Sequence, residues 1–500
     1  MKKYDLCVIG GGPAGYAAAM RALDFNKKVL LIEKDKLGGA GIYNGALSSK
    51  TLWEISNRVV KINETKDASD SAYEISWEKV TKMVDKSVAY RHDQYYNQAQ
   101  FLKAEAKNGR LLDLKYGFGS LETTNSVKIV CNDGTEEIIE TKYIIIATGS
   151  KPRKLPNIKV DEEMILTSDG IQNLKEYPKK MVILGAGVIG CEFATIFSNL
   201  GKTKVFIIDR ANRVLPFEDP DISRVVSENL QEKGVVVHNE AKFERMEVRD
   251  GKVEYEISYP QGMSQVIRVD KALLSVGRIP NTEGLGLEKI GIKISEKSRH
   301  VEDDDTRTSV KNIFVVGDAS GHISLVNVGE IEARHAVEKM FSEKASKVSY
   351  DNICTIMFLN PEVAAVGMNE QNCIDKNIPI KVVKLDYSHI ARAIAMGNTK
   401  GFFKIIVSND DKMKILGMRA VGEHASSAIQ AVGLLIKMNK GVKELAELVH
   451  PHPSIIEGVQ ECVRVLMNKP IFKAFSDDSS IEYYTLIDGV KKDVHFEMKD

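Results

Sequence analysis

Two glycine-rich loops have the spacing that binds the pyrophosphate of a dinucleotide. The first reads Gly-Gly-Gly-Pro-Ala-Gly over residues 10–15, and the second reads Gly-Ala-Gly-Val-Ile-Gly over residues 185–190. In such a loop the first glycine permits a tight turn, the second lets the backbone approach the phosphates, and the last lets a helix pack on a strand. The positive end of that helix faces the phosphates. The spacing predicts two dinucleotide sites, most simply one for FAD and one for NAD or NADP.

An acidic residue follows each loop at the end of the next predicted strand. These residues are Glu33 and Asp209, and a carboxylate at this position can hold the 2′-hydroxyl of a ribose. Asp209 favours NAD, whose ribose is not phosphorylated. Arg210 and Arg213 follow directly and could receive the 2′-phosphate of NADP. We therefore expect NAD and leave NADP open.

Each loop must join a strand to a helix for this chemistry, and the flanking residues have the required patterns. Short apolar runs predict strands over residues 4–9, 28–33, 127–131, 143–147, 181–184, 204–209 and 401–407. Helices are predicted over residues 13–25, 52–108, 188–200, 325–343 and 425–438. Alternation of this kind predicts an α/β fold with two Rossmann-like dinucleotide-binding domains.

Length and composition narrow the class of protein. A chain of 500 residues predicts about three domains. The 69 Lys and Arg residues balance 69 Asp and Glu residues, which argues against nucleic-acid binding and against a polybasic membrane patch. No apolar run is long enough for a membrane span. The six scattered cysteines argue against a disulfide framework and a metal site, and they favour a reducing compartment, the cytoplasm.

Five further motifs carry a resemblance to a known family. They are Ala-Thr-Gly-Ser at 147–150, Gly-Arg-Ile-Pro-Asn at 277–281, Ile-Phe-Val-Val-Gly-Asp at 313–318, Asn-Pro-Glu at 360–362 with Val366 and Gly367, and His-Pro-His-Pro-Ser at 450–454 with Glu457. In this order they resemble the class I pyridine nucleotide-disulfide oxidoreductases, which include lipoamide dehydrogenases, over about residues 1–470.

The resemblance implies a domain plan. The FAD-binding domain comprises residues 1–155 and 278–348, and the NAD(P)-binding domain, residues 156–277, is inserted into it. A dimerisation domain over residues 349–470 follows, and residues 471–500 form a polar C-terminal tail. The resemblance also implies a homodimer, because members of the family build each active site from both chains.

The same resemblance assigns the site residues. Lys50 is expected near N5 of the flavin, where a cation favours the reduced ring, and Glu192 is expected to pair with it. Asp318 is expected on the ribityl chain. The full set implied to bind the two dinucleotides is Gly10, Gly12, Pro13, Ala14, Gly15, Glu33, Lys34, Gly39, Ala40, Lys50, Gly119, Ala147, Thr148, Gly149, Gly185, Gly187, Val188, Ile189, Gly190, Asp209, Arg210, Gly277, Arg278, Gly317, Asp318, Leu325 and Val326.

One segment departs from the family pattern. The family writes its redox site as G-G-T-C-x-x-x-x-C-x-P-S-K, whereas residues 38–50 read GGAGIYNGALSSK. Gly41 and Ala46 stand at the two cysteine positions, and Ser48 stands at the proline position. Passing electrons from flavin to a disulfide requires a thiolate. Dithiol–disulfide exchange by the family mechanism is therefore not expected.

Two interpretations of His452 and Glu457 remain open. In the family, this pair comes from the partner subunit and moves protons for the thiols. Here it could serve another acceptor, such as a quinone oxygen, or be a relic. Alternatively, Glu457 belongs to a capping box that begins at Ser454 and starts a helix.

These observations lead to three hypotheses about function. The first is an FAD-dependent NAD(P)H oxidoreductase that passes hydride from nicotinamide to flavin and on to a non-disulfide acceptor, either a nicotinamide, as in a transhydrogenase, or a quinone. The segments 185–195 and 389–393 are similar to those of the transhydrogenase members of the family. The second is a non-catalytic or regulatory protein that resembles lipoamide dehydrogenase, binds FAD and NADH, and docks through its tail. A conventional lipoamide dehydrogenase is the third alternative.

Overall fold

Helices and strands alternate along most of the chain, which confirms the α/β class. The computed structural model describes residues 2–67, 69–104, 111–342, 346–472 and 480–494. The helices are α1 (Pro13–Asp24), α2 (Gly39–Ile42), α3 (Ala46–Glu64), α4 (Trp77–Ala104), α5 (Val188–Leu200), α6 (Pro220–Glu232), α7 (Val326–Phe341), α8 (Glu370–Asp375), α9 (Ala391–Ala395), α10 (Ala425–Lys437), α11 (Lys443–Ala446) and α12 (Glu457–Leu466).

The strands are mostly short. They are β1 (Lys3–Ile9), β2 (Lys28–Glu33), β3 (Leu111–Thr123), β4 (Ser126–Cys131), β5 (Glu136–Ile146), β6 (Ser150–Pro152), β7 (Ile165–Thr167), β8 (Lys180–Leu184), β9 (Lys204–Ile208), β10 (Val236–His238), β11 (Lys242–Arg249), β12 (Lys252–Ser258), β13 (Ser264–Val269), β14 (Lys271–Leu274), β15 (Arg278–Pro280), β16 (Asp303–Asp304), β17 (Arg307–Thr308), β18 (Ile313–Val315), β19 (Cys354–Met357), β20 (Val363–Gly367), β21 (Ile380–Asp386), β22 (Phe402–Ser408), β23 (Ile415–Val421), β24 (Ile481–Ile487) and β25 (Val490–Asp493).

The chain forms two compact units. The first comprises Met1–Lys179, Arg245–Tyr255 and Arg268–Val348, and the second comprises Lys180–Glu244, Glu256–Ile267 and Ser349–Asp500. The predicted helix over 52–108 is two helices, α3 and α4, separated by a polar stretch. No helix in the described part of the chain is both long enough and apolar enough to cross a bilayer.

A parallel sheet forms the centre of the first unit. β1 pairs with β2 on one side and with β5 on the other, β2 pairs with β3, and β5 pairs with β18. Alternate residues of β1 enter two different cores. Leu6 and Val8 pack with α1 and α7, whereas Cys7 and Ile9 pack with β4 and β5. Burial on both faces explains why these strands read as continuous apolar runs.

The second unit contains a small parallel sheet and a larger antiparallel one. β9 lies between β8 and β10. The larger sheet has the order β19-β20-β23-β22-β21-β24-β25. Its main core is formed with α10 and α12. The predicted tail thus contributes two strands to this sheet: β24 pairs antiparallel with β21, and β25 turns back along β24.

A buried lysine holds several acidic side chains together in the second unit. Lys404 on β22 is 1% exposed, and its Nζ lies 2.8 Å from Asp219 and 2.5 Å from Glu370. It also contacts Asp221. Burial lowers the pKa of Lys404, but the facing carboxylates outweigh it and raise the pKa overall. Because one ammonium group touches all three acids, it accounts for their proximity, and Tyr484 of β24 adds a hydrogen bond to Glu370 (2.8 Å).

Candidate active site

The first glycine loop has the close approaches that its spacing predicted. Gly10 has φ +107°, and a Cβ built on it would lie 2.3 Å from the Ala147 carbonyl oxygen. A Cβ on Gly15 would lie 1.8 Å from the Gly10 oxygen. Both positions therefore require glycine. Gly12 caps α1, which begins at Pro13, and a Cβ built on Gly12 would meet nothing within 4 Å. This open space beside the amide groups of a helix N-terminus fits a pyrophosphate.

Glu33 fixes the loop from the end of β2. Its Oε2 accepts a hydrogen bond from the Gly11 amide at 2.7 Å, and its Oε1 accepts one from the Asp35 amide at 2.8 Å. Burial raises the pKa of Glu33, although these two amides lower it in part. The carboxylate is thus held at the strand end, where its remaining lone pairs can accept ribose hydroxyls. Lys34 follows it and is exposed.

The segment that departs from the family pattern packs directly on this loop. A Cβ built on Gly39 would lie 3.3 Å from Gly12 Cα, and one on Gly41 would lie 2.3 Å from Pro13 Cγ. The backbone at position 41 therefore leaves no room for any side chain. Ala46 begins α3 and is partly exposed. Lys50 lies four residues later on the same helix, so Ala46 and Lys50 share one face.

Two sequence motifs are joined by a short antiparallel ladder. β6 pairs with β15, so that Ser150 faces Pro280 across the ladder. Thr148 Oγ1 donates to the Asn281 carbonyl at 2.7 Å, and Asn281 Nδ2 donates to the Thr148 carbonyl at 2.9 Å. Gly149, with φ +66°, makes the turn before β6. The Gly-Arg-Ile-Pro-Asn motif therefore lies beside the Ala-Thr-Gly-Ser motif.

The third FAD-related motif reaches the same place. Gly317 packs against Ala14, with its built Cβ 3.2 Å from the Ala14 Cβ, so Asp318 lies beside the first glycine loop. Asp318 Oδ2 accepts a hydrogen bond from Ser150 Oγ at 2.5 Å. Arg278 donates to the Ser150 hydroxyl and carbonyl, both at 2.7 Å. The structure thus brings Ala14, Ser150, Arg278 and Asp318 together.

The remaining residues predicted to bind FAD lie in several elements of the first unit. Gly119 lies in β3, and a Cβ built on it would come within 3.1 Å of Ile32. Gly277, with φ +102°, precedes β15. Leu325 caps α7, and Val326 is its first residue. Ala40 lies in α2 and is exposed.

The second glycine loop repeats the geometry of the first. Gly185 has φ +107°, and Gly187 caps α5 with open space above it. Asp209 Oδ2 accepts from the Ala186 amide at 2.6 Å, and Oδ1 accepts from the Ala211 amide at 2.8 Å. Val188, Ile189 and Gly190 form the first turn of α5. Asp209 therefore holds its loop as Glu33 holds the first, and the loop fits a second dinucleotide.

The two candidate arginines differ in their contacts. Arg213 donates from one nitrogen to the carbonyls of Pro216 and Glu218, both at 3.0 Å. Arg210 is exposed. Within the described part of the chain, Arg213 is therefore hydrogen-bonded to nearby backbone carbonyls, whereas Arg210 is not.

Glu192 is anchored within the second unit. It is 5% exposed, and its Oε1 accepts a hydrogen bond from the Phe358 amide at 3.0 Å. Sequence reasoning missed Phe358, because a backbone amide leaves no signal in residue type. Lys50 lies in the first unit and Glu192 in the second, so their pairing stays a prediction.

His452 and Glu457 are in direct contact, and both interpretations of Glu457 have support. Glu457 Oε1 lies 2.7 Å from His452 Nδ1, and Oε2 accepts from the Ser454 amide at 2.9 Å. Burial raises the pKa of Glu457, but the Ser454 amide and His452 outweigh it, so the pKa is lowered overall. Ser454 Oγ bonds the Pro451 carbonyl instead, so the capping box is only half formed. One carboxylate thus orients the imidazole and fixes the turn before α12.

Four of the six cysteines are poor candidates for the missing thiolate. Cys7, Cys191 and Cys462 are fully buried, and burial raises the pKa of each thiol. Burial also raises the pKa of Cys373 to about 11. A thiol with a raised pKa stays protonated and is a weak nucleophile.

Comparisons with known proteins agree on one family. The model described as "Pyridine nucleotide-disulphide oxidoreductase" matches residues 4–333, and the model of that family's dimerisation domain matches residues 353–463. Dihydrolipoyl dehydrogenase from Chlamydia muridarum is 32% identical over 94% of this chain and 98% of its own length. The enzyme of that name from Geobacillus stearothermophilus is 34% identical over 93% of this chain and 97% of its own.

Solved structures give the same result. LpdA from Mycobacterium tuberculosis matches with a TM-score of 0.84 and 26% identity, covering 93% of this chain and all 100% of that one. The Cu(II) complex of the HOCl-induced flavoprotein disulfide reductase RclA from Escherichia coli matches with a TM-score of 0.82 and 26% identity, over the same shares of the two chains. The two sequence relatives are named as dihydrolipoyl dehydrogenases, and RclA is named as a disulfide reductase.

Proposed function

We propose that this chain, which belongs to the pyridine nucleotide-disulfide oxidoreductase family, is an FAD-dependent NAD(P)H oxidoreductase whose electron acceptor is not a disulfide. The observation that carries the proposal is the pair Gly41 and Ala46 at the cysteine positions. Gly41 packs against Pro13 with no space for a side chain. This segment therefore holds no thiol to receive electrons.

The chain's own residues have distinct roles in this proposal. Glu33 and the first glycine loop hold FAD, which supplies the two-electron chemistry between nicotinamide and acceptor when bound. Asp209 and the second loop hold the nicotinamide dinucleotide. Lys50 places a cation near the flavin ring, where it favours the reduced form, and Glu192 is the carboxylate expected to balance it.

The preferred nicotinamide cofactor is NAD. Asp209 already accepts two backbone amides and presents negative charge where a 2′-phosphate would lie. Arg213 is bound to the carbonyls of Pro216 and Glu218 and is not available for a phosphate without losing them. Of the two arginines, Arg210 alone would be available to a 2′-phosphate. The Asp209 carboxylate and that phosphate are both negatively charged and repel each other, which disfavours NADP.

The acceptor classes are a second nicotinamide nucleotide or a quinone. His452, oriented by Glu457, can supply a proton to a reduced quinone oxygen. The protein is expected to act as a homodimer, since residues 353–463 match the family's dimerisation domain. A reducing compartment such as the cytoplasm suits its six cysteines.

An acceptor screen tests this function. The purified flavoprotein is mixed anaerobically with NADH and then with thio-NAD⁺, a soluble quinone or lipoamide. We expect rapid bleaching of the flavin, no long-wavelength thiolate–flavin band, and turnover with a quinone or thio-NAD⁺ but not with lipoamide. Lys50→Met should slow flavin reduction, whereas Lys86→Met, at an exposed position of helix α4, should not.

Two results would contradict the proposed function. Rapid lipoamide turnover would refute the proposed acceptor class and favour a conventional lipoamide dehydrogenase. Absence of bleaching by NADH and NADPH would favour the non-catalytic alternative instead.

A further inference from the structure

A hydrogen-bonded chain of three side chains lies at the junction of the FAD motifs. Arg278 Nε donates to Ser150 Oγ at 2.7 Å, and Ser150 Oγ donates to Asp318 Oδ2 at 2.5 Å. The guanidinium and the carboxylate themselves are 4.0 Å apart. The serine hydroxyl therefore stands between the two charges and contacts both.

The direction of the chain is set by chemistry. A guanidinium only donates hydrogen bonds and an ionised carboxylate only accepts them, so the hydroxyl must accept from Arg278 and donate to Asp318. Donation from a charged group polarises the hydroxyl, and hydrogen bonds in such networks strengthen one another. Arg278 Nη2 also donates a hydrogen bond to the Ser150 carbonyl at 2.7 Å, which fixes the guanidinium in place.

The hydrogen-bonded chain uses only one of the two oxygens of the Asp318 carboxylate. Among the hydrogen bonds of the described residues, Asp318 uses only Oδ2, and its side chain remains 27% exposed. Gly317 packs on Ala14, so Asp318 follows directly after the residue that contacts the first glycine loop. The remaining oxygen, Oδ1, is available for a hydroxyl of a ligand in that loop.

We propose that Ser150 and Arg278 are positioning residues that lock the Asp318 carboxylate in one rotamer, so that Oδ1 points to a ribityl hydroxyl of FAD. The inference rests on the FAD site of the proposed function and is independent of the identity of the acceptor. Neither residue needs to touch the flavin. Their effect is to remove the rotamer freedom that Asp318 would otherwise lose on binding.

The test compares holoenzymes that differ at Ser150. Ser150→Ala removes the hydroxyl and Ser150→Thr keeps it. Ser87→Ala is a matched control that removes a serine hydroxyl bonded to the Met83 carbonyl within α4. We measure the dissociation constant for FAD by ultrafiltration, the temperature of FAD release by flavin fluorescence, and the midpoint potential of bound flavin. Ser150→Ala should bind FAD about 10-fold more weakly, as expected for one lost charge-assisted hydrogen bond. Ser150→Thr and Ser87→Ala should match the wild type.

Two further readouts separate positioning from a structural role. The midpoint potential should change little, because the ribityl chain is remote from the ring. In an Asp318→Ala background, Ser150→Ala should cause no additional loss of FAD affinity, because there is no carboxylate left to position.

Three results would overturn the inference: equal FAD affinity for Ser150→Ala and wild type, a similar loss in Ser150→Thr, or additive losses in the double variant. If Asp318→Ala binds no FAD at all, the difference in FAD affinity between Ser150→Ala and Ser150→Thr still tests the role of the Ser150 hydroxyl. A wild-type protein that binds no FAD would instead refute the proposed cofactor.

Discussion

At the scale of single residues, the most informative position is the first of the two at which the family pattern has cysteine. Gly41 does more than lack a thiol, because its backbone lies against the ring of Pro13, which itself begins the helix behind the first glycine loop. A cysteine cannot be restored there without moving one of the two. Ala46, by contrast, already has a Cβ and is partly exposed.

The two positions should therefore respond differently to enlargement. Gly41→Ala places a Cβ 2.3 Å from Pro13 Cγ and should destabilise the protein by about 1–3 kcal/mol while weakening FAD retention. Ala46→Ser is the control and should leave both unchanged. Thermal unfolding and the FAD content of the purified protein measure the difference. Equal melting temperatures for the two variants would contradict the close packing.

The contact between Glu457 and His452 predicts a pH dependence. The pKa of Glu457 is lowered below its ordinary value of 4.5, so the ionised form is favoured by folding. Its contribution is fully present above pH 4.5 and is lost as the pH falls through the lower, folded pKa. Because the pair is partly exposed and screened, the effect should stay below about 1 kcal/mol. Glu457→Gln should lose less stability in acid than the wild type in urea unfolding, and an identical acid dependence would contradict the pairing.

At the scale of elements, the main feature that the sequence motifs do not cover is the C-terminal hairpin formed by β24 and β25. The dimerisation-domain model ends at residue 463, yet β24 and β25 continue the antiparallel sheet beyond it. β24 pairs with β21 from Ile481 to Leu486, and Tyr484 and Leu486 join a small core. Without the hairpin, β21 would be an exposed edge strand, which is prone to pair with other chains.

Removal of the hairpin should therefore destabilise the second unit. A chain ending at residue 470 should melt at a lower temperature and aggregate more readily, because it exposes β21 and uncovers that core. Tyr484→Phe, which removes only the hydrogen bond to Glu370, should cost about 1 kcal/mol. Thermal unfolding and size-exclusion chromatography measure both. A truncated chain as stable as the full-length protein would show that the pairing contributes nothing.

At the scale of the whole molecule, the surface near His452 indicates how two chains would meet. Val449 is 94% exposed in the single chain and Leu448 is 47% exposed, immediately before the His-Pro-His-Pro-Ser motif. Single exposed apolar side chains are common, but two adjacent ones beside this motif form an apolar surface suited to a subunit contact. The motif is also the one expected to enter the partner's active site in this family.

This surface predicts a dimer that one charge can break. Light scattering of the wild type should give the mass of two chains, and Val449→Asp should shift the population towards monomers and reduce turnover. Val266→Asp, at another exposed valine (53% exposed), is the control and should remain dimeric. Dimers that persist in Val449→Asp would place the interface elsewhere.

Much of this protein is determined by local sequence. Each glycine loop, its helix and its acidic residue lie within about one βαβ unit, where short-range sterics and helix geometry decide the conformation. The α/β class and both dinucleotide loops could be predicted from such spacings, and the absence of cysteine at positions 41 and 46 from comparison with the family pattern. The last of these is a statement about residue type and needs no structure.

The tertiary structure alone decided the contacts between distant segments. Ser150 and Asp318 are 168 residues apart in the chain, and the anchor of Glu192 is a backbone amide of Phe358. Residues 471–500 are interpreted from their polar composition as a tail, yet β24 buries Ile481 and Tyr483 in one core and Tyr484 and Leu486 in another. Long-range pairing of this kind depends on which surfaces remain to be covered once the local elements have formed, and no local pattern of residues encodes it.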